Sequence, residues 1–419
     1  MGGHGNVRGP GHVSLDGSNN LPTDDTDSTK PTPFKIPKDA NAVKLAMEDH
    51  GILQNKAALE SYTEFREKMK AILFQDRLSA MKKKEVREFE NTLAQVERLN
   101  EDTILQTLVP LIVRRTYLAE KDLEGEELAS YNAKIANAAT DAERMTLRKA
   151  FLLSNALWSD DGLLVTMNSE FLRTFLPNQF EELGFEAALA TVLAKQNGMK
   201  NPRPDYCYGL TPDTFPIPRG VMLSQELREL LRIANGVYHA FLLIEGKADR
   251  GELAHAYNQA ARGGATLVKA SRSLLEKLGY PDVTGVDERT VVFSVAMNST
   301  ILEIWLHWAD VITDGKTMKT IVNYHSNRLV ARALSDPDQL PQSRSMLHNI
   351  LNWGCNTRKA ELLKLHERLY AYSQQETQKQ LQEEKARKQD PGNKKRKKGD
   401  GTAASSGSRV QASPASAGR

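Results

Sequence analysis

Asp205, Glu245 and Lys247 are the residues of this chain whose types and spacing suit chemistry. Asp205 follows Pro204 and opens the segment Asp205-Tyr-Cys-Tyr-Gly-Leu210, while Glu245 and Lys247 close an apolar run, Phe241 to Ile244, with Gly246 between them. The run has the length of a strand. Because strand side chains alternate between faces, Glu245 and Lys247 are expected on one side, and Ile244 and Gly246 on the other. Burying a carboxylate and an ammonium is costly unless they pair or bind something. Two neighbouring carboxylates offer hard oxygen ligands to Mg2+ or Mn2+ and leave positions for water and a phosphate oxygen. A lysine beside them can position or help deprotonate the attacking water, or neutralise charge building on the phosphorus. These three groups therefore suit metal-dependent hydrolysis of a phosphodiester. A plain ion pair at a strand end is the structural alternative for Glu245 and Lys247.

The elements that must position them are read from apolar spacing. Val43, Leu45, Ile52, Phe65, Met69, Ile72, Val86, Phe89, Leu93 and Val96 recur mostly at three to four residues, which makes residues 39–135 a region of amphipathic helices. Helical patterning continues from Asp122 to Leu157, and again over Ser169 to Leu176 and Gln179 to Lys195, with a short strand at Gly162 to Val165. Pro202 and Pro204 close that stretch, and a strand over 204–210 follows. Ser224 can cap a helix over Leu223 to Ala234, which Asn235-Gly236 ends. After the strand that Phe241 to Ile244 form, Asp249-x-x-Glu252 reads as a capping box. The helix it opens is expected to reach Leu278 with a weak point at Gly263-Gly264, and Gly246 is small enough to let it approach the sheet. Val291 to Met297 and Ile301 to Trp308 form a hairpin around Asn298-Ser-Thr300. Further helices are expected over Lys316 to Ser335 and over Gln342 to about Lys388.

Pro204-Asp205 followed by Glu245-Gly246-Lys247 resembles the PD-(D/E)XK nuclease motif. The chain is similar to an uncharacterised fungal branch of that superfamily in its Pro204-Asp-Tyr-x-Tyr-Gly209 segment, its apolar strand ending in Glu245-x-Lys247, and its Asn258-Gln-Ala-Ala261 helix. The resemblance is clearest over residues 160–310. It implies an α/β, restriction-endonuclease-like fold, a mixed sheet flanked by helices, with an added N-terminal helical region. It also implies Asp205 and Glu245 as metal ligands, the Gly246 carbonyl completing the shell, and Lys247 as the catalytic lysine. Gln259 would lie on the helix that in exonuclease branches carries a glutamine followed four residues later by tyrosine; this chain has Gly263 at the later position. Asn258 and Gln259 serve equally well as substrate contacts or as helix-backbone partners. Some members add an acid from the first helix, for which Glu170, Glu181 and Glu182 are the candidates.

Composition bounds these readings. The chain has 419 residues, 40% hydrophobic and 26% charged, and a net charge of +3, so basic character must be local. No apolar run approaches the roughly 18 residues needed to span a bilayer. The Gly-, Asn- and Asp-rich start lacks a signal-like apolar core, and Asn6 departs from the myristoylation pattern. Cys207 and Cys355, the two cysteines, stand far apart without ligand spacing, which fits a reducing compartment. Tyr206 and Tyr208 are expected to pack, and Trp305, His307 and Trp308 to take a core or sheet-face role. Residues 1–38 and 373–419 read as disordered, leaving 136–372 as the nuclease-like domain. The basic run Lys394, Lys395, Arg396, Lys397 and Lys398 reads as a nuclear-import signal that engages an import receptor, compatible with a grip on nucleic acid. The expectation is a nuclear Mg2+- or Mn2+-dependent hydrolase of DNA or RNA without membrane attachment. The alternatives are an inactive nuclease-fold module that binds nucleic acid and a helical protein-interaction module.

Overall fold

A computed structural model describes residues 39–389, apart from 55, 76–80, 97–98, 114–124, 142, 145–146, 148–161, 179–185, 187–188, 190–198, 235, 249–252, 281–285 and 314–319. The described residues fall in one compact unit. Six helices come first, broken by one short strand: α1 Ala40–Glu48, β1 Ile52–Leu53, α2 Lys56–Glu60, α3 Thr63–Leu73, α4 Lys83–Val96, α5 Glu101–Val113 and α6 Gly125–Ala136. The strands β2 Leu163–Met167 and β3 Tyr206–Leu210 follow, then α7 Gln225–Leu231, β4 Tyr238–Gly246 and α8 Leu253–Lys277. The chain continues through β5 Val292–Met297, β6 Ile301–Thr313, β7 Thr320–Ala333, α9 Gln339–Trp353 and α10 Lys359–Gln389. No helix among the described residues is long and apolar enough to cross a membrane.

The seven strands make one mixed sheet in the order β1-β7-β6-β5-β4-β3-β2. β4 lies antiparallel to β3 and parallel to β5, and it is buried from His239 to Gly246. Such a strand, covered on both faces, reads as a continuous apolar run, which is why Phe241 to Ile244 was legible. The long helix α8 packs across β4, β5, β6 and β7. Its glycines are not a weak point: α8 is unbroken, and a Cβ at Gly263 or Gly264 would collide with Leu243 or with the His307 ring. The pair lets the helix axis settle close to the sheet, and Ser294 holds the His307 ring at 2.7 Å. The β5–β6 turn forms as expected, with Asn298 Oδ1 accepting from Thr300 N and Ile301 N at 2.9 and 2.8 Å.

Several expected elements differ. Residues 320–333 form a strand paired along its length with β6, not part of a helix from Lys316 to Ser335. Its buried stretch Tyr324 to Asn327 is mostly polar: Trp308 Nε1 donates to Asn327 Oδ1 at 2.9 Å, and His325 Nε2 lies 3.0 Å from Asp310 Oδ1. Ser169 to Leu176 holds only a single 3-10 turn, Arg173–Phe175. α7 is capped by Ser224, which accepts from Leu227 N at 3.2 Å, but it ends at Leu231. The elements of residues 39–135 pack onto the sheet: β1 pairs with β7, and α5 lies beside β4. The tail expected to be disordered from residue 373 is helical to Gln389. Glutamine, glutamate and lysine favour helix on their own, and i,i+4 pairs such as Glu384–Lys388 at 2.6 Å support a helix that buries little. The Asp249/Glu252 capping box, the Gln179 to Lys195 helix apart from isolated positions, and Lys394 to Lys398 lie outside the described residues.

Candidate active site at the end of β4

The register of β3 against β4 pairs Tyr206 with Ile244 and Cys207 with Leu243, so continuing it sets Asp205 opposite Glu245. The Gly246 N–H donates to Asp205 Oδ2 at 2.8 Å, which fixes the aspartate at the end of β4. The Lys247 N–H donates to Met297 O at 2.9 Å and carries the β4–β5 pairing one residue further. Gly246 is glycine for a different neighbour than expected: a Cβ there would collide with Leu105 of α5, not with α8. On the same side, Tyr206 Oη donates to Leu105 O at 3.4 Å. The close approach of α5 brings its N-terminus to the strand end.

That N-terminus delivers an acid that sequence reasoning missed. Glu101 Oε1 accepts from Lys247 Nζ at 2.6 Å, with the lysine side chain 13% and the glutamate 35% exposed. Asn100 Oδ1 accepts from Thr103 N at 2.9 Å, so it caps α5 and leaves Glu101 and Asp102 in the first turn, where a helix favours negative charge. The cap was readable in the sequence; which helix start would reach β4 was not. Of the acids proposed for this role, Glu170 is exposed and accepts from Asn201 Nδ2, while Glu181 and Glu182 lie outside the described residues.

Glu245 is 1% exposed, and its Oε2 has no hydrogen-bond partner. Burial, and next the charge of Asp205, hold its carboxyl well above the ordinary 4.5, against the pull of Lys247 and Arg262. Asp205 is also raised, first by burial, with the Gly246 N–H and Lys247 opposing and Glu101 and Asp102 adding to the rise. Arg262 on α8 is lowered by burial while Glu245 supports its charge, and its Nε has no partner. Four carboxylates thus share this corner with one ammonium and one guanidinium. Their excess negative charge and the orphaned Glu245 oxygen fit a hard divalent cation, which commonly takes one or two protein carboxylates and completes its shell with water. No group of three or more His, Cys, Asp or Glu side chains among the described residues is arranged to hold a metal; the facing pair Asp205 and Glu245 are the side chains that could hold one here.

Gln259 stands three residues before Arg262 on α8, and its Oε1 is buried without a partner. Its neighbour Asn258 is structural: its Nδ2 donates to Ala40 O at 2.7 Å and its Oδ1 accepts from Gln54 Nε2 at 2.9 Å, tying α1 and the end of β1 to α8. Tyr206, Tyr208, His307 and Trp308 are buried in the packing, as expected.

Fold and site define a mixed α/β protein with an acidic, lysine-bearing corner where an antiparallel strand pair meets a helix N-terminus. The chain belongs to a family described as a domain of unknown function (DUF7924), whose profile matches residues 88–365 and so includes Glu101, Asp205, Glu245 and Lys247. No curated protein and no solved structure matches the chain.

Proposed function

We propose that this protein is a Mg2+- or Mn2+-dependent nuclease of restriction-endonuclease-like fold, acting at the end of β4 on a phosphodiester of DNA or RNA. The observation that carries the reading is the meeting of Asp205 with the Glu245-Gly246-Lys247 corner through the Gly246 N–H, beside a buried glutamate oxygen that no described residue satisfies. Asp205 and Glu245 would hold the cation, which when bound supplies Lewis-acid activation of a phosphate oxygen and of water. Lys247 Nζ would donate to the attacking water or to a non-bridging phosphate oxygen, and Glu101 keeps that ammonium aimed at the corner. Gln259 would orient substrate through the amide whose oxygen is now without a partner. In the same reading Lys394 to Lys398 engage an import receptor and place the activity in the nucleus; a fluorescent fusion lost from the nucleus on replacing these residues with alanine tests that part.

A second reading, a nuclease-fold module that binds nucleic acid without turning it over, is favoured by the closed Lys247–Glu101 ion pair, which occupies the lysine. Calorimetric titration of Mg2+ and Mn2+ into the full chain separates the two, combined with incubation with plasmid, single-stranded DNA and RNA. The nuclease reading expects saturable metal binding lost in Glu245→Ala, and cleavage that chelator stops and Asp205→Asn slows by about 100-fold or more. Flat titrations for wild type and variant alike would remove it. Metal binding with every substrate left intact would hand the site to the second reading.

A further inference from the structure

A second cavity lies at the opposite end of β4, between α3, the C-terminal part of α8 and the junction of α9 with α10. It has a volume of about 640 Å³, within the range of small-molecule sites. Met69, Leu274, Leu275, Leu362 and Leu365 give it apolar walls. The α9–α10 junction is a π-helical turn, Gly354–Arg358, in which a Cβ at Gly354 would collide with Phe241 of β4. Such turns occur frequently at functional sites, and this one ends on Arg358.

Arg358 lines the cavity and is 4% exposed. Its Nη1 donates to Val291 O at 2.6 Å, and its guanidinium lies 5.3 Å from the centre of the Trp353 ring, so the head is fixed in place. Nε and Nη2 have no partner. Those two nitrogens form one edge of the guanidinium, the edge that takes a carboxylate or phosphate through two parallel hydrogen bonds. Among the described residues, the acids beside the cavity are each bound by another side chain. Asp287 is engaged by Arg289 at 2.6 Å, Glu288 by Lys68 at 2.5 Å, and Glu361 by Lys364 at 2.9 Å. Burial pushes the guanidinium down to about 10 against the nearby charge of Asp287, which leaves it cationic at neutral pH. A fixed, buried cation with two unbonded N–H positions is costly unless an anion completes it.

We propose that this cavity binds a small organic anion, with a carboxylate or phosphate monoester head on the Nε/Nη2 edge of Arg358 and an apolar or aromatic body along the leucine walls and Trp353. The inference is independent of the nuclease reading, since Glu245 lies six residues, about 20 Å, along β4 from His239, which lines the cavity.

The test is calorimetric titration of the full chain with phenyl phosphate, benzoate, inorganic phosphate and benzyl alcohol. Saturable binding of phenyl phosphate, benzoate or both is expected, the comparison identifying the preferred head. Inorganic phosphate and benzyl alcohol should each bind about 10-fold or more weakly, the first lacking the body and the second the charge. Arg358→Lys keeps the charge but loses the fork, and should weaken the preferred anion by about 10-fold or more. Ser271→Trp, which fills the cavity from α8, should abolish binding. The proposal is overturned if wild type binds neither organic anion, if inorganic phosphate or benzyl alcohol matches them, or if folded Arg358→Lys binds as tightly as wild type. Should Arg358→Lys lose its circular dichroism signature, undiminished binding by Ser271→Trp overturns it instead.

Discussion

The two ends of β4 are charged in opposite senses. At its C-terminal end Asp205, Glu245, Glu101 and Asp102 outnumber Lys247 and Arg262, and a buried glutamate oxygen is left over. At its N-terminal end the surplus is a cation, Arg358, beside a pair of imidazoles that the fold keeps neutral. His239 stands at φ 47°, a left-handed backbone costly for a residue with a Cβ, and its Nε2 meets His366 Nε2 at 2.8 Å. The protons along this chain can be assigned. The Phe215 carbonyl can only accept, so Tyr370 Oη donates to it at 3.1 Å and must accept from His366 Nδ1 at 3.1 Å. Neutral His366 then has a bare Nε2, and His239 Nε2–H is the donor between the rings. On the two proposals made above, one strand carries two incomplete sites, one short of a cation and one short of an anion.

The ends should also answer pH in opposite directions, and breaking the histidine pair gives the largest expected effect. Burial first, then the charges of His366 and Arg358, hold His239 well below 6.5, and burial pushes His366 down to about 4. Unfolded imidazoles take up protons that the folded ones refuse, so this contribution to stability is complete above about 6.5 and is lost as pH falls towards the folded values. For His366 alone it amounts to roughly 3 kcal/mol between pH 7 and pH 4. His366→Phe is expected to unfold more easily at pH 7, because His239 Nε2–H loses its acceptor, and to close that deficit as pH approaches 4. Urea melts across that range check it; a deficit independent of pH contradicts the assignment.

Next in size is Gly246→Ala. The added methyl drives Leu105 and α5 away from β4, with an expected cost of about 1–3 kcal/mol, typical of overpacking. Because α5 carries Glu101, the same change should loosen Lys247, so metal-dependent turnover is expected to fall further than stability. Turnover that falls no further than the folded fraction would separate α5 from the site. Glu245→Gln probes the sign at the acidic end. A carboxyl raised in the folded state contributes stability present below about 4.5 and lost as pH rises through its folded value. The variant escapes that loss, so without divalent ions it should exceed wild type by about 1–2 kcal/mol near pH 7 and by less at pH 5. Added Mg2+ should narrow the gap by stabilising wild type alone. A variant no more stable than wild type at either pH would mean that Glu245 carries no unmet charge.

The contrast also explains what the sequence disclosed. Asp205, Glu245 and Lys247 were legible because a buried strand has a two-residue period, and charges at the end of an apolar run stand out against it. Residues 320–333 misled because Ile321, Val322, Leu329 and Val330 fit a helical stripe as well as a strand, while His325, Ser326 and Asn327 look exposed until β6 and α8 surround them. β1, two residues long, carries no period at all. Arg358 offered nothing to read: one arginine in a helical stretch becomes a buried free fork only through the π turn, the Gly354–Phe241 approach and the distant Val291 carbonyl. Glu101 lies between these cases, since its helix start was signalled by Asn100 but its meeting with Lys247 depends on Gly246, 145 residues away in the chain.

Glu101→Gln is the smallest and most discriminating perturbation. The pair it breaks is partly exposed, and such pairs contribute little to stability, so the melting midpoint should move by less than about 1 kcal/mol. Its effect on chemistry depends on what Glu101 does for Lys247. If the glutamate aims the ammonium at a phosphate or water, glutamine keeps a hydrogen-bond acceptor of the same reach but loses the charge that holds Nζ. Metal affinity should then stay within a few-fold of wild type, while turnover falls by about 10-fold. If Glu101 instead restrains a lysine that no longer takes part in chemistry, releasing Lys247 should tighten nucleic-acid binding with no turnover in either protein. Parallel measurement of metal affinity, binding and cleavage on wild type and Glu101→Gln tells a working acidic end from one that has kept its charge and lost its reaction.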